Sequence, residues 1–80
     1  MNIKTAVVER FQELCSERDI AINTLATLAG ITPSTVYSML DSDRKDIGIV
    51  TIKKLCDGLD LTITEFFQSE LFYNLKQEIN

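Results

Sequence analysis

Within four positions, Gly30 to Pro33, the chain places one of its three glycines and its single proline. Glycine reaches positive φ without steric cost and is the natural residue just past a helix end. Proline cannot continue a helix from within, but it fits the first helical position, where its missing N–H costs nothing. Thr32 before it can accept first-turn amides as an N-cap, and Ile31 and Val36 stand at hydrophobic-staple spacing. One helix must therefore stop at Gly30 and another start at Pro33. Leu25, Leu28 and Ala29 read as the inward face of the first, about Asn23 to Ala29, with Ala26 small where the helices cross. The second runs to about Leu40 and buries Val36, Met39 and Leu40. Two short helices at a tight turn leave Ser34, Thr35, Tyr37 and Ser38 outside.

Helical periodicity continues on both sides. Ile3, Val7, Val8, Phe11, Leu14 and Cys15 form one apolar stripe, opposed by Glu9, Glu13, Glu17, Arg10 and Gln12. Asp19 and Ile20 mark its stop. After a polar connection from Asp41 to Gly48, Ile49, Ile52, Leu55, Cys56 and Leu59 share another helical face. Thr62-Ile63-Thr64-Glu65 is a capping box, with Leu61 and Phe66 as its staple, and predicts a short fifth helix through Phe67. Leu71, Phe72, Leu75 and Ile79 again recur at helical spacing, as a sixth helix on the core or as an exposed partner surface. Phe66, Phe67, Phe72 and Tyr73 read as core. The expected class is all-α: one compact five-helix domain over residues 1–69, followed by a C-terminal helical extension over 70–80.

Composition narrows the function. Eighty residues, 45% of them hydrophobic, suit one core. No stretch approaches the roughly 18 apolar residues of a membrane span, and Met1 to Val8 lacks the pattern of a signal peptide, so a cytoplasmic location is expected. There is no histidine, which removes the commonest general base. Cys15 and Cys56 sit at apolar positions without metal-ligand spacing and read as small buried hydrophobes. The pattern argues against an enzyme, a metal site, a cofactor or a small-molecule ligand.

Net charge is −4, which opposes binding to a polyanion. The acidity is uneven, however. Residues 32–54 carry four basic and three acidic side chains, whereas residues 55–80 carry one basic and five acidic. The local field, rather than the total, decides what approaches the middle of the chain.

The segments Leu25-Ala26-x-x-Ala29-Gly30-Ile31-Thr32, Ser34-Thr35-Val36 with Leu40, Thr51-Ile52-x-x-Leu55-Cys56-Asp57-Gly58-Leu59, and Leu61-Thr62-x-x-Glu65-Phe66-Phe67 together resemble the Cro/lambda-repressor type of helix-turn-helix, the Xre-like regulators. The resemblance spans about residues 7 to 67, with the motif at about 22–40. It implies a lambda-repressor-like fold and double-stranded DNA as partner, with the second motif helix lying in the major groove. By position, Thr32, Pro33, Ser34, Tyr37 and Ser38 would face base edges. Asn23, Thr24, Thr35, Arg44 and Lys45 would meet phosphates. The chain departs from the family pattern at Ile22, where a Gln is frequent, at Ala21, where a Ser or Thr cap is frequent, and at Pro33, which offers only apolar contact.

The reading face carries hydroxyls and one aromatic ring, without the Arg or Asn that make bidentate base contacts. Specificity then calls for a homodimer on a two-fold site, aided by DNA shape. Leu71, Phe72, Leu75 and Ile79 are the candidate dimer residues. The expected function is a small transcriptional regulator, a repressor. The competing class is a protein-interaction module on the same fold, which the acidic balance and the hydroxyl-only face favour.

Overall fold

The first helix starts because Asn2 can cap it: its side-chain oxygen accepts the Thr5 amide at 2.8 Å. In the computed structural model, which describes residues 1–79, α1 runs Ile3–Glu17, α2 Ile22–Ala29, α3 Pro33–Leu40, α4 Ile49–Gly58 and α5 Ile63–Phe67. The expected all-α architecture of five helices is what forms, and the described residues contain no strand. Phe11, Leu25, Val36, Leu55, Cys56 and Phe66 are fully buried at its centre, drawn from all five helices.

Three connections use one turn. Asp19-Ile20-Ala21, Gly30-Ile31-Thr32 and Asp60-Leu61-Thr62 each begin with a left-handed residue, at φ 53°, 71° and 54°. In each, the next amide reaches five residues back: Ile20 to the Cys15 carbonyl, Ile31 to Ala26, Leu61 to Cys56, at 2.9–3.0 Å. This is the Schellman closure, and the apolar second residue packs on the core in all three. The third residue is extended and becomes the N-cap of the following helix. Thr32 and Thr62 cap with their hydroxyls, and Ala21 has no side-chain acceptor.

The α2–α3 pair is held from outside by α4. A Cβ placed on Gly58 would lie 2.8 Å from the Ala29 nitrogen and the Leu28 carbonyl carbon, so only glycine lets α4 approach the end of α2 this closely. Two arginines of α1 tie other helix ends. Arg10 donates through Nε to the Phe66 carbonyl at 2.7 Å and through Nη2 to that of Glu65 at 3.0 Å, while pairing with Glu13 and lying over the Phe66 ring. Arg18 donates to the Leu59 carbonyl at the end of α4. Both satisfy carbonyls that a helix C-terminus leaves without intrahelical partners.

Several expectations change. Leu28 is 53% exposed: at 100° per residue it stands about 110° round α2 from the direction shared by Leu25, Ala26 and Ala29. Ile49, at the first position of α4, is exposed on an apolar cleft beside Ile3 and Phe67. Tyr73 is 72% exposed rather than core, whereas Phe66, Phe67 and Phe72 do form an aromatic cluster with centroids 4.9–6.1 Å apart. The helical extension expected over 70–80 is a single 3-10 turn, Glu70–Phe72, followed by irregular chain; Asn80 lies outside the described residues. Eleven residues seldom hold a helix on their own. Here Phe72 is anchored among the phenylalanines, and the Lys76 amide bonds the Met1 carbonyl at 2.9 Å, so the segment returns along α1.

Cys15 and Cys56 are buried, free thiols, and burial raises both above the ordinary thiol pKa.

Candidate nucleic-acid interface

The α2–turn–α3 unit occupies one side of the molecule. Val36 and Met39 fix α3 to the core, and on its opposite side Pro33, Ser34, Thr35, Tyr37 and Ser38 are exposed, Tyr37 at 54%. A helix of eight residues, about two turns, anchored by Val36 and Met39 and with five exposed residues, is available to a flat or grooved partner.

The start of α3 is internally organised. Thr32 Oγ1 accepts the Thr35 amide and lies 2.9 Å from Thr35 Oγ1 and 3.2 Å from Ser34 Oγ. Thr32 is thus already committed to capping, and the outward-facing hydroxyls are those of Ser34, Thr35 and Ser38. Asn23 and Thr24, at the start of α2, are exposed; the Asn23 carbonyl accepts the Thr27 hydroxyl.

The loop after α3 is a compact turn. The Arg44 amide donates to the Asp41 carbonyl at 3.0 Å, and the Asp43 amide to Asp41 Oδ1 at 2.9 Å. This brings Arg44 to α3: Thr35, Ser38 and Arg44 line one cleft of about 250 Å³, with Asp46, Gly48 and Thr51 across it. Of the residues named from sequence, Thr35, Ser38 and Arg44 are therefore contiguous. Lys45 points elsewhere, into a second cleft that Arg44 also borders and that includes Lys4. Lys4 and Asp46 were not among the sequence candidates. Neither carries a local signal, because α1 and the 41–48 loop meet only through the tertiary fold.

A family model for the Cro/C1-type helix-turn-helix DNA-binding domain matches residues 10–70. The chain belongs to that family. The matched region thus runs from Arg10 in α1 to Glu70, the first residue of the 3-10 turn, and takes in α2 and α3. Among solved structures, the domain is similar to the crystal structure of the prophage Lp1 protein 11, with a TM-score of 0.81 and 33% sequence identity over 94% of this chain and 100% of that one. No curated protein matches the chain. No helix of the described residues is long and apolar enough to cross a membrane.

Proposed function

We propose that this Cro/C1-type domain is a non-enzymatic, cytoplasmic transcriptional repressor that binds an operator as a homodimer, with α3 in the major groove. The observation that carries this reading is the exposed surface from Ser34 through Ser38 to Arg44, polar on the helix and with the Arg44 cation at its loop end. In this reading Pro33, Ser34, Tyr37 and Ser38 face base edges, with Thr32 holding the helix start in place. Thr35, Arg44 and Lys45 meet one stretch of backbone, and the uncapped start of α2, with Asn23 and Thr24, meets another. Hydroxyls discriminate weakly, so two half-sites are needed. Leu71, Leu75 and Ile79 supply the dimer contact, Phe72 being held in the phenylalanine cluster; Ile79 is 80% exposed, and Leu71 and Leu75 are half-buried.

Selection of bound sequences from a random duplex pool tests this. Enriched inverted repeats, bound by two chains per duplex, are expected. Tight one-to-one binding by a monomer would overturn the dimeric reading. A protein-interaction module on the same fold is the second reading, favoured by Asp46 in the cleft beside Arg44. Salt dependence separates the two: phosphate contacts make log affinity fall by about 0.9 per contact with log salt. A flat dependence would favour the module.

A further inference from the structure

Lys4 is assigned no part in the reading above, yet the fold carries it to the phosphate-facing loop. Its ammonium donates to the Asp41 carbonyl at 2.6 Å, across 37 residues of sequence. The same carbonyl accepts the Arg44 amide. Lys4, Arg44 and Lys45 then line one cleft of about 140 Å³, with Glu78 of the returning C-terminal segment at its rim. Three cations from two distant segments therefore converge, with Glu78 on the same cleft and Asp46 on the clefts beside it, and among the described residues none of the three is in an ion pair. Asp41, Asp43, Asp46 and Glu78 are all close in the fold or the loop, but among the described residues the ion pairs are Arg10–Glu13 and Lys53–Asp57. Arg44 also borders the cleft that holds Thr35 and Ser38, so this cationic site is continuous with the exposed face of α3.

We propose that Lys4 completes a backbone-phosphate site with Arg44 and Lys45, so that the strand leaving α3 passes over the junction of α1 and the 41–48 loop. Glu78 stands at the edge of that site and opposes the incoming phosphate. The inference rests on the DNA-binding reading of the same face and adds a contact from α1 to it.

The test is a salt series of equilibrium binding by the full chain to a labelled duplex. Lys4→Met should reduce the salt slope by about 0.9 and weaken binding about fivefold, Lys4→Arg should restore both, and Glu78→Gln should tighten binding about twofold. If the wild type binds with a steep slope that Arg44→Ala flattens while Lys4→Met leaves slope and affinity untouched, the inference is wrong and the function stands. Weaker binding by Lys4→Met at an unchanged slope overturns it equally, since Lys4 would then act only through the Asp41 carbonyl. Should the wild type ignore duplex DNA, both fall together. NMR of the unmodified chain gives a readout independent of any variant: the Lys4 side-chain ε-methylene signal should shift on adding duplex, and its immobility would exclude the contact.

Discussion

Asp19-Ile20-Ala21 leads into α2 and Gly30-Ile31-Thr32 leads into α3 through the same backbone path: left-handed residue, buried apolar residue, extended cap. They differ at the cap, Ala21 against Thr32, while the residue three beyond it is threonine in both. In α3 the Thr32 hydroxyl accepts the Thr35 amide and contacts its hydroxyl, so the helix start is satisfied from within. In α2 the equivalent residues are Ala21 and Thr24, and no side chain caps the amides. The same turn therefore yields one closed and one open helix start. The closed start belongs to the helix proposed to read bases, whose orientation has to be fixed. The open start belongs to the helix proposed to hold a phosphate, whose amides have to be free.

The largest expected effect comes from breaking the packing that both starts depend on. Gly58→Ala forces a methyl against the Leu28–Ala29 backbone, which is immobile peptide rather than a flexible side-chain tip. Overpacking of this kind costs about 1–3 kcal/mol. Urea unfolding of Gly58→Ala should show a midpoint well below wild type, with DNA affinity falling as α2 and α3 are pushed off α4. A midpoint equal to wild type would mean that α4 does not set the α2–α3 arrangement.

Next in size is loss of the closed start. Thr32→Ala removes the cap and should cost about 1 kcal/mol, and Thr62→Ala should cost a similar amount at the start of α5. The two variants separate stability from recognition. Both lower the unfolding midpoint, but only Thr32→Ala should also reduce operator affinity, because of the two helices α3 is proposed to touch DNA and α5 is not. Equal affinity losses would place the effect in stability alone.

Filling the open start should do the reverse. Ala21→Asp supplies the missing acceptor and a negative charge near the α2 N-terminus, a gain of about 0.5–1 kcal/mol. The same carboxylate would occupy the place proposed for a phosphate. Thermal unfolding should therefore move up while duplex binding weakens. Higher stability with unchanged affinity would show that this helix start faces no phosphate.

The sequence made the helices legible because their apolar residues repeat every three or four positions, and it made the ends of α2, α3 and α5 legible because Gly30, Thr32-Pro33 and the Thr62–Glu65 box act locally. Asp19 was seen as a stop, but not that Asp19 and Asp60 adopt the conformation of Gly30. The shared pattern of left-handed residue, apolar residue and cap emerges once the three turns are aligned. Arg10 reads as a member of the charged face and Arg18 carries no sequence signal of its own; their targets, carbonyls at the ends of α5 and α4, lie more than forty residues away. Lys4 escaped for the same reason. The candidate α3 surface was readable because helical geometry alone puts Ser34, Tyr37 and Ser38 opposite Val36 and Met39. The C-terminal periodicity was real, but Phe72 and the Lys76 amide found partners that a helix would have denied them.

The third copy of the turn, before α5, shows what a closed start gains from charge. Here the Thr62 hydroxyl accepts the Glu65 amide, and Glu65 Oε1 accepts the Thr62 amide, both at 3.0 Å. The Thr62 backbone bond, and then the Thr62 hydroxyl, hold the Glu65 carboxyl below its ordinary pKa. A carboxylate whose folded pKa is depressed binds fewer protons than the unfolded chain does around the unfolded value of about 4.3. Its stabilising contribution is complete above that value and is lost as pH falls through the lower, folded one. Glu65→Gln keeps the capping geometry and removes the titration. Its deficit relative to wild type should be small at neutral pH, because Glu65 is exposed, and should shrink from about pH 4 downward. Thr32 and Thr35 use hydroxyls in the same two positions, so the start of α3 has no counterpart to this acid sensitivity. Unfolding midpoints of the two chains measured from pH 7 to pH 3 decide the matter, and a deficit that widens with acid would contradict the assigned role of the Glu65 carboxylate.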